Sequence, residues 1–266
     1  MLAMATASCG PHRPQHADAS LIALDVRTGR PQYSVALGFP VVTGLAVGER
    51  NGHEAWVSGS GRHGSDGQDG DVCDSANGTV RAVDMASGRV APTTPPGPSF
   101  GNGSNVDNAP WADAAGVRVS LVGGAGTYTP AAFEGVDKAT AKLLWHHDAG
   151  IGQWSGIAAD AHGAYALKLG GPIVAFDLKT GRTLWRSTAY SRALTRLEHF
   201  QFPYAAIVGV GAGTVVVIDR YAVVGIDTRS GAVKWAWSDG TLPYIVQTYG
   251  DRVYVARYGV FCQWDD

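Results

Sequence analysis

The segment Ile173 to Trp185, "IVAFDLKTGRTLW", recurs along the chain in imperfect copies, and this recurrence limits the fold more than any other feature. The copies are "LIALDVRTGRPQY" (Leu21 to Tyr33), "RAVDMASGRVAP" (Arg81 to Pro92), "EGVDKATAKLLW" (Glu134 to Trp145) and "VGIDTRSGAVKW" (Val224 to Trp235). A half copy, "FCQWDD", closes the sequence with Asp265 in the register of Asp177. Anchored on Asp25, Asp84, Asp137, Asp177 and Asp227, the copies agree at four further positions. Two residues before the aspartate stands a small residue: Ala23, Ala82, Gly135, Ala175 or Gly225. Three after it comes a hydroxyl, on Thr28, Ser87, Thr140, Thr180 or Ser230. Four after it is Gly29, Gly88, Gly181 or Gly231, with Ala141 as the exception. Eight after it is an aromatic, Tyr33, Trp145, Trp185 or Trp235, with Pro92 as the exception.

The chemistry of one copy predicts a β-hairpin. The residues before each aspartate are apolar or alternating over a strand's length. A carboxylate at a strand end accepts hydrogen bonds from N–H groups two residues on, which starts a turn. The glycine supplies a positive φ, and the chain resumes as a second strand carrying the aromatic. A further strand precedes most hairpins ("EAWVSG", "VRVSLVGG", "AYALKL", "GTVVVID", "RVYVAR"), and another follows them ("VTGLAVG", "SGIAAD", "YAAIVGV", "PYIVQT"). The unit is therefore four short antiparallel strands. Successive aspartates stand roughly 40 to 60 residues apart, the size of a propeller blade. The expected fold is all-β: a β-propeller of four-stranded antiparallel blades, with a short helix at most at "SRALTRLEHF" (Ser191 to Phe200).

The two ends are complementary. The first copy lacks a strand before its hairpin, and the last has that strand, Arg252 to Arg257, followed by half a hairpin. Open blade edges would expose unpaired N–H and C=O groups. A composite closing blade drawn from both ends, in a ring of about six, is the resulting expectation; because both ends carry an aspartate strand, an incomplete larger propeller is the other reading.

The copies resemble the PQQ-type propeller repeat, close to A-x-D-x-x-T-G-x-x-x-W, from Ser20 to Asp266. That resemblance implies a domain over 20–266 and assigns Trp145, Trp185 and Trp235, with Tyr33 substituting, to packing between neighbouring blades. It is specific for a fold, not for an activity. Proteins of this repeat include non-catalytic propeller lipoproteins of the outer-membrane barrel-assembly machinery and quinoprotein dehydrogenases. The latter are much longer and carry adjacent cysteines over the cofactor and a Ca²⁺ beside a catalytic aspartate. Here Cys9, Cys73 and Cys262 are isolated from one another. They read as free thiols or, for Cys73 and Cys262, as a disulfide in an oxidising compartment, and the sequence leaves both open.

A formal net charge of −2, without a basic run, recommends no nucleic-acid partner. There is no apolar stretch long enough to span a bilayer. Residues 1–19 read as a signal remnant and lipoprotein-type tether. "TASCG" resembles a bacterial lipobox, which makes Cys9 the candidate lipidation site and a lipid anchor the one expected membrane contact.

Other constellations carry less. His146 and His147 are neighbours on a strand and face opposite sides, so they do not share a metal. Asp66, Asp69, Asp71 and Asp74 in "GSDGQDGDVCD" lack the ligand spacing of a calcium loop and read as a solvated insertion. "PTTPPGPSFGNGSNVDNAP" (Pro92 to Pro110) reads as a low-complexity rim connection. "GVGAGT" and "LVGGAGT" lack the following helix a phosphate loop needs. The expected function is a non-catalytic extracytoplasmic scaffold in the cell envelope or secreted, without cofactor, metal or catalytic residues, binding a protein partner at a propeller face or rim loops. The alternatives are a PQQ-dependent dehydrogenase, whole or in part, and the sensor domain of a signalling protein.

Overall fold

The structure, a computed structural model, describes residues 18–39, 41–47, 53–60, 79–91, 111–123, 130–197, 205–219, 222–239 and 243–257. Cys9, Cys73, Cys262, the aspartate-rich stretch 66–74, the connection 92–110 and the final half copy lie outside them.

Strands dominate the described residues, with one helix among them, α1 (Ala189–Leu197). Strand β1 (Ser20–Asp25) and β2 (Pro31–Ala36) are the first hairpin, and β18 (Pro243–Tyr249) and β19 (Arg252–Arg257) the last two strands. These four form one sheet in the order β18-β19-β1-β2, so the two ends of the sequence share a composite blade. The second sheet, β3-β4-β5, comprises Val41–Ala46, Glu54–Ser60 and Thr79–Asp84. The third is β6-β7-β8-β9, from Trp111–Ala114, Val117–Gly123, Pro130–Asp137 and Leu143–Ile151. The fourth is β10-β11-β12-β13, from Trp154–Asp160, Gly163–Lys168, Ile173–Phe176 and Thr183–Ser187. The fifth is β14-β15-β16-β17, from Ala206–Gly211, Thr214–Asp219, Ala222–Asp227 and Val233–Trp237. These are propeller blades. The described residues hold five of them where about six were expected. Strands β18 and β19 complete the sheet begun by β1 and β2, which is the composite blade expected from the sequence.

Two compact units divide the chain. One contains Ser34–Gly103 with both termini, the other Ile22–Tyr33 and Ser104–Val255. In the first unit, Leu37, Phe39, Val42, Ala55, Val57, Ala82 and Val83 are buried, and Arg81 donates to the Leu37 carbonyl at 3.3 Å. Among the described residues its blade has three strands plus one further bridge, Val83 to Val90.

In the second unit, apolar side chains fill the spaces between successive sheets. Ala158, Tyr165, Leu167, Ile173 and Ala175 meet Ile207, Val215, Val217, Val224 and Ile226. Val216, Val223 and Trp235 meet Ile22, Leu24, Val26, Val253 and Val255. Val119, Phe133 and Trp145 meet Ile157, Ala164, Ala166, Val174 and Phe176. Strands such as β11 and β16 are buried on both faces, and so are apolar along their length instead of alternating. Among the described residues, no helix is long and apolar enough to cross a membrane.

Candidate functional site

Each repeat turn is built the same way. In the first, Asp25 Oδ1 accepts from the Arg27 and Thr28 N–H groups at 3.0 and 2.9 Å and from the Thr28 hydroxyl at 2.9 Å. Asp137, Asp177 and Asp227 accept the same three bonds, from Ala139 and Thr140, Lys179 and Thr180, and Arg229 and Ser230. Asp84 accepts from the Ser87 N–H and hydroxyl at 2.7 and 2.6 Å. Three donors on one carboxylate oxygen favour its ionised form. Side-chain and backbone bonds from the hydroxyl residue hold Asp84, Asp137 and Asp177 below the usual carboxylate value. At Asp25 and Asp227 partial burial pushes the other way, and the same bonds together outweigh it.

The residue four after the aspartate closes the turn, its N–H donating to the aspartate carbonyl at 2.8 to 2.9 Å. Its φ is positive in every copy: 68° at Gly29, 72° at Gly88, 68° at Gly181 and 70° at Gly231. Ala141 adopts 56° in the same place, against the preference of a residue with a Cβ.

The aromatics join one blade to the next. The Trp145 indole donates to the Leu178 carbonyl at 2.7 Å, Trp185 to Thr228 at 2.8 Å and Trp235 to Val26 at 2.8 Å. Each acceptor is the residue after the aspartate of another copy. Each indole also covers that copy's turn glycine, where a Cβ would stand 2.5 Å from Trp145 Cδ2 at Gly181, 2.6 Å from Trp185 Cε3 at Gly231 and 2.5 Å from Trp235 Cδ2 at Gly29. The small residue two before the aspartate is explained by the same ring. Gly135 pairs with Trp145 and Gly225 with Trp235 across their hairpins, and a Cβ there would enter the indole. Ala175 pairs with Trp185, which is less buried than the other two. Tyr33 lies half-buried on β2.

The third sheet departs from its neighbours. Arg118 and Ser120 on β7 pair with Val136 and Glu134 on β8. The matching pairs are Ala164 with Phe176 and Ala166 with Val174 in the fourth sheet, and Val215 with Ile226 and Val217 with Val224 in the fifth. Where those pairs are buried, Arg118 is exposed and Glu134 half-exposed. After the aspartate, Val26, Met85, Leu178 and Thr228 are buried, whereas Lys138 is exposed. Ala141 is exposed where the four turn glycines are buried.

This face carries two charged clusters. Asp113 binds the Arg118 guanidinium through both oxygens, at 2.9 and 3.0 Å, and Lys138 Nζ at 2.7 Å. Those bonds hold its carboxyl at about 2. Arg118 also lies 4.5 Å over the ring of Trp111, itself 44% exposed. Beside them His146 stands between Glu134 and Asp148, while His147 packs edge-on against Phe176 on the opposite face, at 5.1 Å between centroids. The two histidines therefore share no ligand.

The polar face was not anticipated from the sequence. Its signal was present: β7 alternates, "VRVSLVG", where β15 runs apolar, "TVVVID". "GVGAGT" (Gly209 to Thr214) falls at the end of β14, the β14–β15 turn and the first residue of β15.

The family described as "Outer membrane protein assembly factor BamB" matches residues 17–236 and, in a second match, 169–265. The chain belongs to this family. It is thus a BamB-type, PQQ-like propeller, and no curated protein matches it. Solved structures that the chain is similar to include BamB from Moraxella catarrhalis, 14% identical over 90% of this chain and 76% of that one, TM-score 0.38. The computationally designed Ika8 protein is 12% identical over 87% of this chain and 72% of its own, TM-score 0.43. The quinohemoprotein alcohol dehydrogenase from Comamonas testosteroni is 17% identical over 46% of this chain, TM-score 0.34. The match spans 19% of that dehydrogenase. No activity is carried across from these structures to this chain.

Proposed function

We propose that this BamB-type chain is a non-catalytic propeller scaffold of the cell envelope, offering its rim and an exposed blade face to a protein partner. One observation carries the reading: the carboxylates that recur through the chain are spent inside their own turns, each Oδ1 holding the donors of its hairpin. A group so occupied organises backbone instead of moving protons or holding a cation. The family's description as an outer membrane assembly factor supports the compartment and a protein partner. Anchoring through a lipid on Cys9 belongs to the same proposal.

The test is a titration of the purified chain with PQQ and Ca²⁺, followed by alcohols and aldose sugars with an artificial electron acceptor. The scaffold reading expects neither saturable quinone binding nor turnover. Stoichiometric binding with turnover would replace it with the dehydrogenase reading.

A further inference from the structure

On the exposed face of the third sheet, both ring nitrogens of His146 meet a carboxylate. Nδ1 lies 3.1 Å from Glu134 Oε1 and Nε2 lies 3.2 Å from Asp148 Oδ1. A neutral imidazole has one N–H and one lone pair, and an ionised carboxylate only accepts. With the ring neutral, one of these contacts would set two lone pairs against each other. The arrangement is satisfied only by the imidazolium.

Its position gives the proton a mechanical consequence. Glu134 is on β8 and pairs directly with His146 on β9, while Asp148 is two residues along β9. Strand β9 ends the sheet order, so it is held to β8 alone within that sheet. The remaining charges of the face, Arg118, Lys138 and Asp113, are bound to one another. Among the described residues, Glu134 and Asp148 are the charged groups in direct contact with His146, and both favour the cation.

We propose that His146 is a protonation-dependent clamp, its cation tying the outer strand β9 to β8, so that this edge loosens and the face grows more negative when the proton leaves. The direction follows from linkage. Carboxylate bonds raise the histidine above its ordinary 6.5, so the clamp is complete below that value and is lost as pH rises through the raised one. The inference does not depend on the scaffold reading, since it concerns a charge cluster and not a partner.

The test is an NMR titration of the histidine ring resonances of the full chain, with amide exchange of β9 corrected for intrinsic rates. His146 is expected to titrate above 6.5, and Glu134→Gln and Asp148→Asn each to bring its midpoint down. Protection of the β9 amides is expected to fall across that midpoint, while β13 stays constant. His146→Gln is expected to abolish the pH dependence of β9 protection. A midpoint at or below the ordinary value, a midpoint unmoved by both carboxylate substitutions, or unchanged β9 protection would each overturn the proposal.

Discussion

The third and fourth sheets carry the same hairpin turn but treat the surface beside it in opposite ways. In the fourth, Ala164, Ala166, Val174 and Phe176 are buried against the third sheet, and Gly181 lies under the indole of Trp145. In the third, the matching positions hold Arg118, Ser120, Glu134 and Val136, and Ala141 replaces the glycine. The preceding copy is the one whose aromatic position holds Pro92. A turn glycine is indispensable where an indole lies on it, because that contact leaves no room for a Cβ. At Ala141 the exposed turn has that room. The repeat therefore contains two separable layers of chemistry: a local layer of aspartate, hydroxyl and positive φ, kept in all five copies, and a docking layer of indole, glycine and apolar face, kept in three.

Removing an indole should have the largest effect. Trp145 and Trp235 are each 7% exposed and join the apolar clusters on either side of them. Truncating a buried aromatic typically costs about 3–5 kcal/mol. Trp145→Ala and Trp235→Ala are both expected near that range in chemical denaturation. The same change at Trp111, 44% exposed on the polar face, should cost much less. Equal losses at all three would erase the distinction between docked and open faces.

Gly181→Ala tests the docking layer from the other side. It places a Cβ at a φ of 68° and 2.5 Å from the Trp145 indole. The backbone conformation costs about 1–2 kcal/mol, and forcing the ring aside adds about 1–3 kcal/mol. Crystallography of the variant should show the indole displaced and its bond to the Leu178 carbonyl lengthened.

Acid should act on the local layer, in every copy at once. Each turn aspartate is held below its ordinary value, so its contribution is present above the unfolded carboxylate range and lost as pH falls through the folded value. Melting temperature is expected to change little between about pH 7 and 5 and to drop increasingly steeply below about pH 4. Asp177→Asn should flatten that drop, and a profile unchanged by the substitution would mean that the turn carboxylate is not a source of the acid sensitivity.

How much of this was legible beforehand follows the same two layers. The turn is written in contiguous residues, so Asp177, Thr180 and Gly181 announce it and its blade together. Docking is written in residues distant in sequence. That Trp235 would donate to Val26 required knowing which blade follows which, and the chain's two ends had to be joined first. The polar face was readable as an alternation in β7, but alternation says only that one side is wet. The Glu134–His146–Asp148 cluster needs cross-strand register, which no spacing within one strand supplies.

The smallest effect should have the opposite sign. Ala141 holds a φ of 56° in an exposed turn, with its N–H donating to the Asp137 carbonyl at 2.8 Å. Ala141→Gly removes the left-handed penalty of about 1–2 kcal/mol. It also gives the unfolded chain more freedom, which costs about 0.4–1 kcal/mol. Because the turn is exposed, no indole contact is gained or lost, so the balance runs from about zero to a gain of roughly 1.6 kcal/mol by those two terms alone. At Gly29, Gly181 and Gly231 the reverse change loses both the conformation and the room for a ring. The pair Ala141→Gly and Gly181→Ala thus measures the two layers separately by denaturant midpoint: a small rise at the open turn, a large fall at the docked one. A fall at Ala141 would show that its methyl is packed against something, and that the third sheet's turn is covered after all.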